Sequence, residues 1–224
     1  MPGIVGIIGA GNPKESANVH QQMLGCLLHE PFYVSGNYVN ETLGLNLGWV
    51  AHERSFSDCN PIWNETKDIC LIFSGEDFTD NAEIDQLKAK GHTFAADKAS
   101  YLVHWYEELG LEFIGRLNGC FSGVLVDLRK QSVVLFNDRY GLNRIYCHEH
   151  DGRLYFSSEA KSILKVFPGL RRLDLKGVAE VFSCGCVLQD RTLYPEITLL
   201  PSGSRWEFKA GKIDKSRYFK PDSW

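Results

Sequence analysis

The chain has 224 residues, enough for one large domain or two small ones with a substantial core. It is 44% hydrophobic and 23% charged, as is ordinary for a globular protein. The net charge of −4 offers no surplus of positive charge for phosphates, so we expect neither nucleic acid nor a membrane as a partner.

Two further features concern the cellular compartment. The first residues are apolar, but they have no basic leader and too short an apolar run for a signal peptide, which predicts a cytoplasmic protein. The seven cysteines are scattered through apolar or strand-like segments, so we expect reduced core residues. Cys184 and Cys186 are a tight pair without a second Cys or His pair at zinc-site spacing, and we predict no metal site.

Apolar spacing predicts the elements of the first half of the chain. A buried strand is expected at 3–8 and a helix at 14–28. A hairpin at 33–39 and 43–50 follows, then a strand at 69–73 and helices at 81–90 and 100–109.

The second half begins as a meander of β-rich runs at 120–127, 133–138, 145–148 and 154–157. Helices are predicted at 159–166 and 175–182, the latter with Asp174 as N-cap. A turn at Pro201-Ser202-Gly203 separates two short strands within 199–208. These elements predict an α+β protein in which two stacked sheets are covered by helices.

Seven strings occur in one order along nearly the whole chain. They are Met1-Pro2-Gly3-Ile4, Ala51-His52-Glu53-Arg54, Ser74-Gly75-Glu76, Leu117-Asn118-Gly119-Cys120-Phe121, Asn137-Asp138-Arg139-Tyr140-Gly141-Leu142, Ser157-Ser158-Glu159-Ala160-Lys161, and Asp190-Arg191-Thr192-Leu193-Tyr194 with Leu200-Pro201-Ser202-Gly203. Together they resemble the class II glutamine amidotransferase domain of asparagine synthetases.

The resemblance implies a four-layer αββα sandwich of the N-terminal-nucleophile hydrolase type, built on two antiparallel sheets. It also implies a domain at 1–210 and, from 211 to 224, the start of a linker toward an ATP-dependent synthetase domain. ATP and Mg²⁺ are implied only for that second domain, because the Ser-Gly-Gly-x-Asp phosphate loop does not occur in this sequence. No cofactor is expected in the domain at hand.

In the family, the cysteine exposed by removal of the initiator Met attacks the side-chain amide of glutamine, and the α-amine of the chain acts as base. Pro2 stands at that position here. Its ring carries no side-chain heteroatom, so no thioester can form at this residue. We therefore expect no catalytic nucleophile.

Other family positions also differ. Ser74 replaces the oxyanion-hole asparagine, although Gly75 is kept, and the aspartate that grips the glutamine amino group falls at Lys98 or, one residue off, at Asp97. The His-Arg-Gly-Pro-Asp loop keeps only His29. The predicted remnant of the glutamine site is Arg54, which would bind the carboxylate as a fork, with Ser74, Gly75 and Glu76.

Each of these residues also has a structural interpretation. Arg54 suits a surface ion pair equally well, and Glu76 suits a helix start. Asp138 and Arg139 are interpreted as a structural turn network. Three histidines (His29, His52 and His104) lack the clustering of a metal site or triad and are interpreted as non-catalytic.

Three hypotheses about function follow. The first is a domain inactive as a glutaminase, at the front of an asparagine-synthetase-type, ATP-dependent amide ligase whose synthetase domain is its partner. The second is a module that binds a small amino acid through Arg54 and Glu76. The third is an enzyme whose freed Pro2 amine acts as general base, which retention of the initiator Met would exclude. A homodimer stays open.

Overall fold

The computed structural model describes residues 2–95 and 97–221. Its strands are β1 (Gly3–Ile8), β2 (Tyr33–Asn40), β3 (Leu45–His52), β4 (Ile62–Trp63), β5 (Ile69–Asp77), β6 (Gly119–Asp127), β7 (Ser132–Asn137), β8 (Tyr146–His150), β9 (Arg153–Ser157), β10 (Thr198–Leu199), β11 (Ser204–Lys209) and β12 (Lys212–Arg217). Its α-helices are α1 (Pro13–Gly25), α2 (Asn81–Ala89), α3 (Leu102–Leu109), α4 (Phe113–Arg116), α5 (Ala160–Val166) and α6 (Leu175–Cys184). Short 3₁₀ turns lie at Ala99–Tyr101, Gly110–Glu112 and Pro168–Leu170.

The strands form two six-stranded sheets in which neighbouring strands pair antiparallel. The first sheet has the order β10-β8-β9-β1-β3-β2, and the second has the order β12-β11-β7-β6-β5-β4. Within the first sheet, β1 lies between β9 and β3, so the start of the chain is paired on both sides.

Three apolar clusters separate four layers. The cluster between the sheets takes side chains from both, such as Leu47 and Val124. On the outer face of the first sheet, Val5 and Ile7 pack with residues of α1 and α5. On the outer face of the second sheet, strand residues pack with α2, α3 and α4. Because alternate residues of a strand point to opposite faces, β1 is buried along its whole length. The predicted αββα sandwich is confirmed.

Helix ends follow local chemistry. Asn12 caps α1 by accepting hydrogen bonds from the backbone N–H groups of Lys14 and Glu15, and Pro13 takes the first helical position. The prediction that Asp174 caps α6 is confirmed, since its carboxylate accepts from Lys176 and Gly177 N–H. The predicted helix at 159–166 begins one residue later, with Glu159 at the cap position.

The sequence left out two elements at the far end of the second sheet and beside it. Helix α4 has only four residues, and β12 is a polar strand paired with β11. Strand β12 lies inside the segment 211–224 that was expected to begin a linker, so the folded sheet extends to Arg217. The division into a domain and a linker otherwise stays a prediction.

The cysteines were expected in the core, and this is wrong for three of them. Cys70 and Cys147 are buried, whereas Cys120, Cys184 and Cys186 are exposed. Helices in the described part of the chain are too short or too polar to cross a membrane.

Candidate functional site

A cavity of about 880 Å³ opens where the start of β1 meets the ends of several other elements. We call it the central cavity. It is lined by Pro2, His29, His52, Ser55, Ser57, Ser74, Gly75, Glu76, Cys120, Leu142, Asn143, Arg144, Tyr146, Ser158, Glu159, Ala160 and Lys161. Of the residues predicted for the site, the central cavity collects Pro2, Ser74, Gly75 and Glu76.

The position of Pro2 is fixed by its neighbours in the chain. The backbone N–H of Ile4 donates to Ser158 Oγ at 2.9 Å, and the N–H of Ser158 donates to the Ile4 carbonyl at 2.9 Å. Gly3 allows this close approach, because a Cβ there would lie 2.4 Å from Ser158 Oγ. The start of β1 is thereby held against the junction of β9 and α5.

A charged cluster forms the wall beside Pro2. His29 Nε2 lies 3.0 Å from Glu159 Oε1 and 2.6 Å from Lys161 Nζ, and Lys161 Nζ lies 2.7 Å from Glu159 Oε2. Burial raises the pKa of the Glu159 carboxyl, but hydrogen bonds with Lys161 and His29 outweigh it and hold that pKa well below its ordinary value. Glu159 is therefore an anion across the physiological pH range.

Ser74, Gly75 and Glu76 occupy the end of β5, where it pairs with β6. Gly75 has φ of 117°, and a Cβ at this residue would lie 2.1 Å from the carbonyl oxygen of Cys120. Only glycine fits this position, because both the backbone conformation and the neighbouring strand exclude a side chain. The glycine expected for an oxyanion hole thus has a structural requirement of its own.

The loop after β7 brings two polar residues to the opposite wall. The buried Asp138 carboxylate accepts hydrogen bonds from the N–H groups of Tyr140 (3.0 Å), Leu142 (3.0 Å) and Asn143 (2.9 Å). This confirms the interpretation of Asp138 as a turn network. The network places Asn143 and Arg144 in the central cavity, and Asn143 Nδ2 lies 3.4 Å from the Ser74 carbonyl.

The structure places two other predicted residues elsewhere. Arg54 is exposed, has φ of 65° in the turn after β3, and is not among the described residues that line the central cavity. Lys98 Nζ donates to the Ser55 carbonyl at 3.0 Å and to Asp58 at 2.8 Å. The Lys98 ammonium thus fastens the loop after β3, and it does not line the cavity either.

Sequence reasoning missed several residues of this site. His29 and His52 were interpreted as unclustered, but both line the central cavity. Glu159 and Lys161 appeared only as parts of a family string, and their partner His29 is 130 residues away. Cys120 was expected in the core, yet its thiol lines the cavity. The interpretation of His104 as unclustered is also wrong, since its ring centroid lies 4.7 Å from that of His92, outside this site.

The central cavity carries charges of both signs, with Glu76 and Glu159 opposed to Arg144 and Lys161. Such an arrangement can hold a zwitterion, because each charged end of the ligand finds an opposite charge. Pro2 contributes no side-chain nucleophile to it. The donors for an oxyanion would have to come from the end of β5.

Comparison with known proteins agrees with this architecture. Residues 1–219 match the model of a family described as a glutamine amidotransferase domain. The chain is 32% identical over 171 residues to the glutamine-hydrolyzing asparagine synthetase 1 of Arabidopsis thaliana, a match that covers 73% of this chain and 28% of that protein. It is 35% identical over 122 residues to the glutamine-hydrolyzing asparagine synthetase of Sandersonia aurantiaca, covering 51% of this chain and 23% of that protein.

Among solved structures, the glutamine phosphoribosylpyrophosphate amidotransferase of B. subtilis has a TM-score of 0.67 at 12% identity, covering 96% of this chain and 49% of that one. At that identity the likeness shows the fold alone. The chain spans 28% of the length of its Arabidopsis relative. The family match and the two-sheet fold together establish that this chain belongs to the class II glutamine amidotransferase domain family, related to asparagine synthetases and built on the N-terminal-nucleophile sandwich.

Proposed function

We propose that this domain does not hydrolyse glutamine and serves as the front domain of an asparagine-synthetase-type, ATP-dependent amide ligase. One observation carries the first part of the proposal: the residue that stands at the nucleophile position and lines the central cavity is Pro2. Covalent catalysis needs an activated side-chain nucleophile in hydrogen-bond reach of a base. A proline ring offers none.

Ser74 supports the same proposal. In the family this position supplies the side-chain donor of the oxyanion hole, and the shorter serine reaches less far than asparagine. Losing one such donor lowers the rate by about 10²–10³-fold. Restoring a thiol alone would therefore leave the domain slow.

Glutamine hydrolysis by the purified chain tests the proposal directly. We expect glutamate formation no faster than in buffer, with a glutamine-hydrolyzing asparagine synthetase as positive control. Cys120→Ser controls for the one exposed thiol in the central cavity. Glutamate formation above background in both the unmodified chain and Cys120→Ser would overturn the proposal. Activity lost with Cys120→Ser would also overturn it and would identify another nucleophile.

Covalent labelling gives a second measurement. A glutamine-mimicking electrophile, detected by intact and peptide mass, should leave residue 2 of the unmodified chain free and should label a Pro2→Cys variant. Labelling of the variant shows that the cavity admits the probe. An adduct at residue 2 of the unmodified chain would contradict the proposal.

The second part of the proposal concerns a synthetase partner. Helix α6 and the residue before its cap expose large apolar side chains, with Leu173, Leu175 and Phe182 exposed by 62%, 81% and 86%. Contiguous exposed apolar residues mark interaction surfaces, and we propose that the synthetase domain covers them. ATP and Mg²⁺ belong to that domain. The open reading frame downstream of residue 224 tests this: a phosphate loop of the Ser-Gly-Gly-x-Asp type supports it, and a frame without one overturns it.

A second candidate function is amino-acid binding without hydrolysis. The central cavity favours it, because Glu76 and Glu159 face Arg144 and Lys161 across a space large enough for an amino acid. Arg54, predicted as the carboxylate ligand, would have to turn inward from its exposed position. Thermal-shift titration with glutamine and glutamate tests this function, since stabilisation rises with occupancy. No shift at millimolar ligand would exclude it. A shift that Glu76→Gln removes would support it.

A further inference from the structure

A second cluster of titratable side chains lies on the outer helix layer, apart from the central cavity. It contains Glu65 in the turn between β4 and β5, His92 in the connection between α2 and α3, and His104 with Glu107 on α3. One ligand atom from each of the four lies within 4.8 Å of the others. None of the four lines the central cavity. We call them the His–Glu cluster.

The separations within the His–Glu cluster fit a small cation. His104 Nδ1 lies 2.9 Å from Glu107 Oε2 and 3.6 Å from Glu65 Oε2, and His92 Nδ1 lies 3.7 Å from Glu107 Oε2. Four ligands at about 2.0–2.1 Å around a tetrahedral Zn²⁺ stand about 3.4 Å apart. Adjustments of well under 1 Å would bring the four atoms to such a geometry.

The ligand types and charges fit as well. Imidazole nitrogens and carboxylate oxygens are zinc ligands, and neutral imidazole is the usual ligand form of histidine. Two neutral imidazoles and two carboxylates carry a charge of −2, which a divalent cation cancels. His104 is buried and Glu107 is half-buried, so two of the ligands are already removed from bulk water.

Neighbouring residues orient the ligands. Glu108 Oε1 lies 3.1 Å from His92 Nε2, the ring nitrogen opposite the one that faces the cluster. Asn64 Nδ2 donates to the other oxygen of Glu107 at 2.8 Å. Carboxylates and amides in these positions set ring tautomer and ligand direction around protein metal sites.

We propose that the His–Glu cluster is a zinc-type metal site that ties the β4–β5 turn and the α2–α3 connection to helix α3. With four protein ligands the site is closed, as structural zinc sites are, and a closed site leaves no position for a substrate. The competing interpretation is a network of histidine–carboxylate ion pairs that holds no cation.

Zinc titration of the full chain, stripped of metal by chelator and dialysis, tests the proposal. We expect one equivalent of Zn²⁺ to bind and to raise the melting temperature. Co²⁺ should give the intense visible absorption of tetrahedral coordination. Absence of binding at micromolar Zn²⁺, or an octahedral-type Co²⁺ spectrum, would overturn the proposal.

Variants locate the ion. Glu65→Gln and His92→Gln change partly exposed side chains, so the fold is expected to survive, and circular dichroism checks this. Each should weaken Zn²⁺ binding by about 10–100-fold or more, the range seen even for residues that only support a ligand. His150→Gln, on β8 and outside the cluster, should leave affinity unchanged. Retained affinity in both ligand variants, or its loss in Cys184→Ser/Cys186→Ser, would overturn the assignment.

Discussion

His20 on α1 should make the stability of this domain sensitive to mild acid. Its side chain is buried, its Nε2 has no hydrogen-bond partner among the described residues, and it faces Gly48 of β3. Burial lowers the pKa of this imidazole from 6.5 to about 4. The folded protein therefore keeps His20 neutral at pH values where the unfolded chain binds a proton.

The sign and size of the effect follow from proton linkage. Between pH 6.5 and about 4 the unfolded state holds more protons at this residue, so stability falls as the pH falls. Down to pH 5, the two pKa values give a loss of about 2 kcal/mol from His20 alone. At pH 7 the contribution is close to zero, because the imidazole is mostly neutral in both states.

Urea unfolding of the natural chain and of a His20→Met variant, each at pH 7 and pH 5, measures this contribution. Methionine fills irregular apolar space without a titrating group. We expect the free energy of unfolding to drop by about 2 kcal/mol less in the variant than in the natural chain over this interval. The same pH dependence in both proteins would refute the reasoning, and unchanged m-values would show that the two transitions are comparable.

Three further predictions concern the walls of the site. Gly75→Ala should lower the free energy of unfolding by more than about 3 kcal/mol, because it adds a clash with a strand carbonyl to backbone strain; Gly91→Ala, at φ of 98° with open space around it, should cost less, and equal losses in chemical unfolding would contradict this. Asp138→Asn should cost about 2–3 kcal/mol by the same measurement, since an amide cannot accept all three backbone hydrogen bonds. Lys98→Met and Asp58→Asn should show a coupling energy of about 1 kcal/mol in a double-mutant cycle, and additive losses would rule out the ion pair as a stabilising contact.

Elements with a strong local signal could be predicted from the sequence. The apolar run of β1, the Asp174 cap of α6 and the β6–β7 meander all declare themselves within a few residues. Strand β12 could not be predicted, because its residues are mostly polar and its stability comes from pairing with β11. Helix α4 is too short for periodicity to show.

The candidate site was predictable only where a family string named it. Pro2 and the residues at the end of β5 were found in this way, and the structure brings them to one cavity. The contact of His29 with Glu159 and Lys161 joins distant parts of the chain, and no local pattern encodes it. Arg54 shows the converse limit, since a matching string did not fix where its side chain lies.

The two hydrogen bonds between Ile4 and Ser158 have a consequence for how such a domain can change over time. They anchor the amino-terminal strand through backbone groups and one hydroxyl, and the side chain of residue 2 takes no part in them. Folding therefore places little demand on the identity of residue 2. A mutation there can exchange one chemistry for another while the scaffold, with all its strands and packing, stays intact.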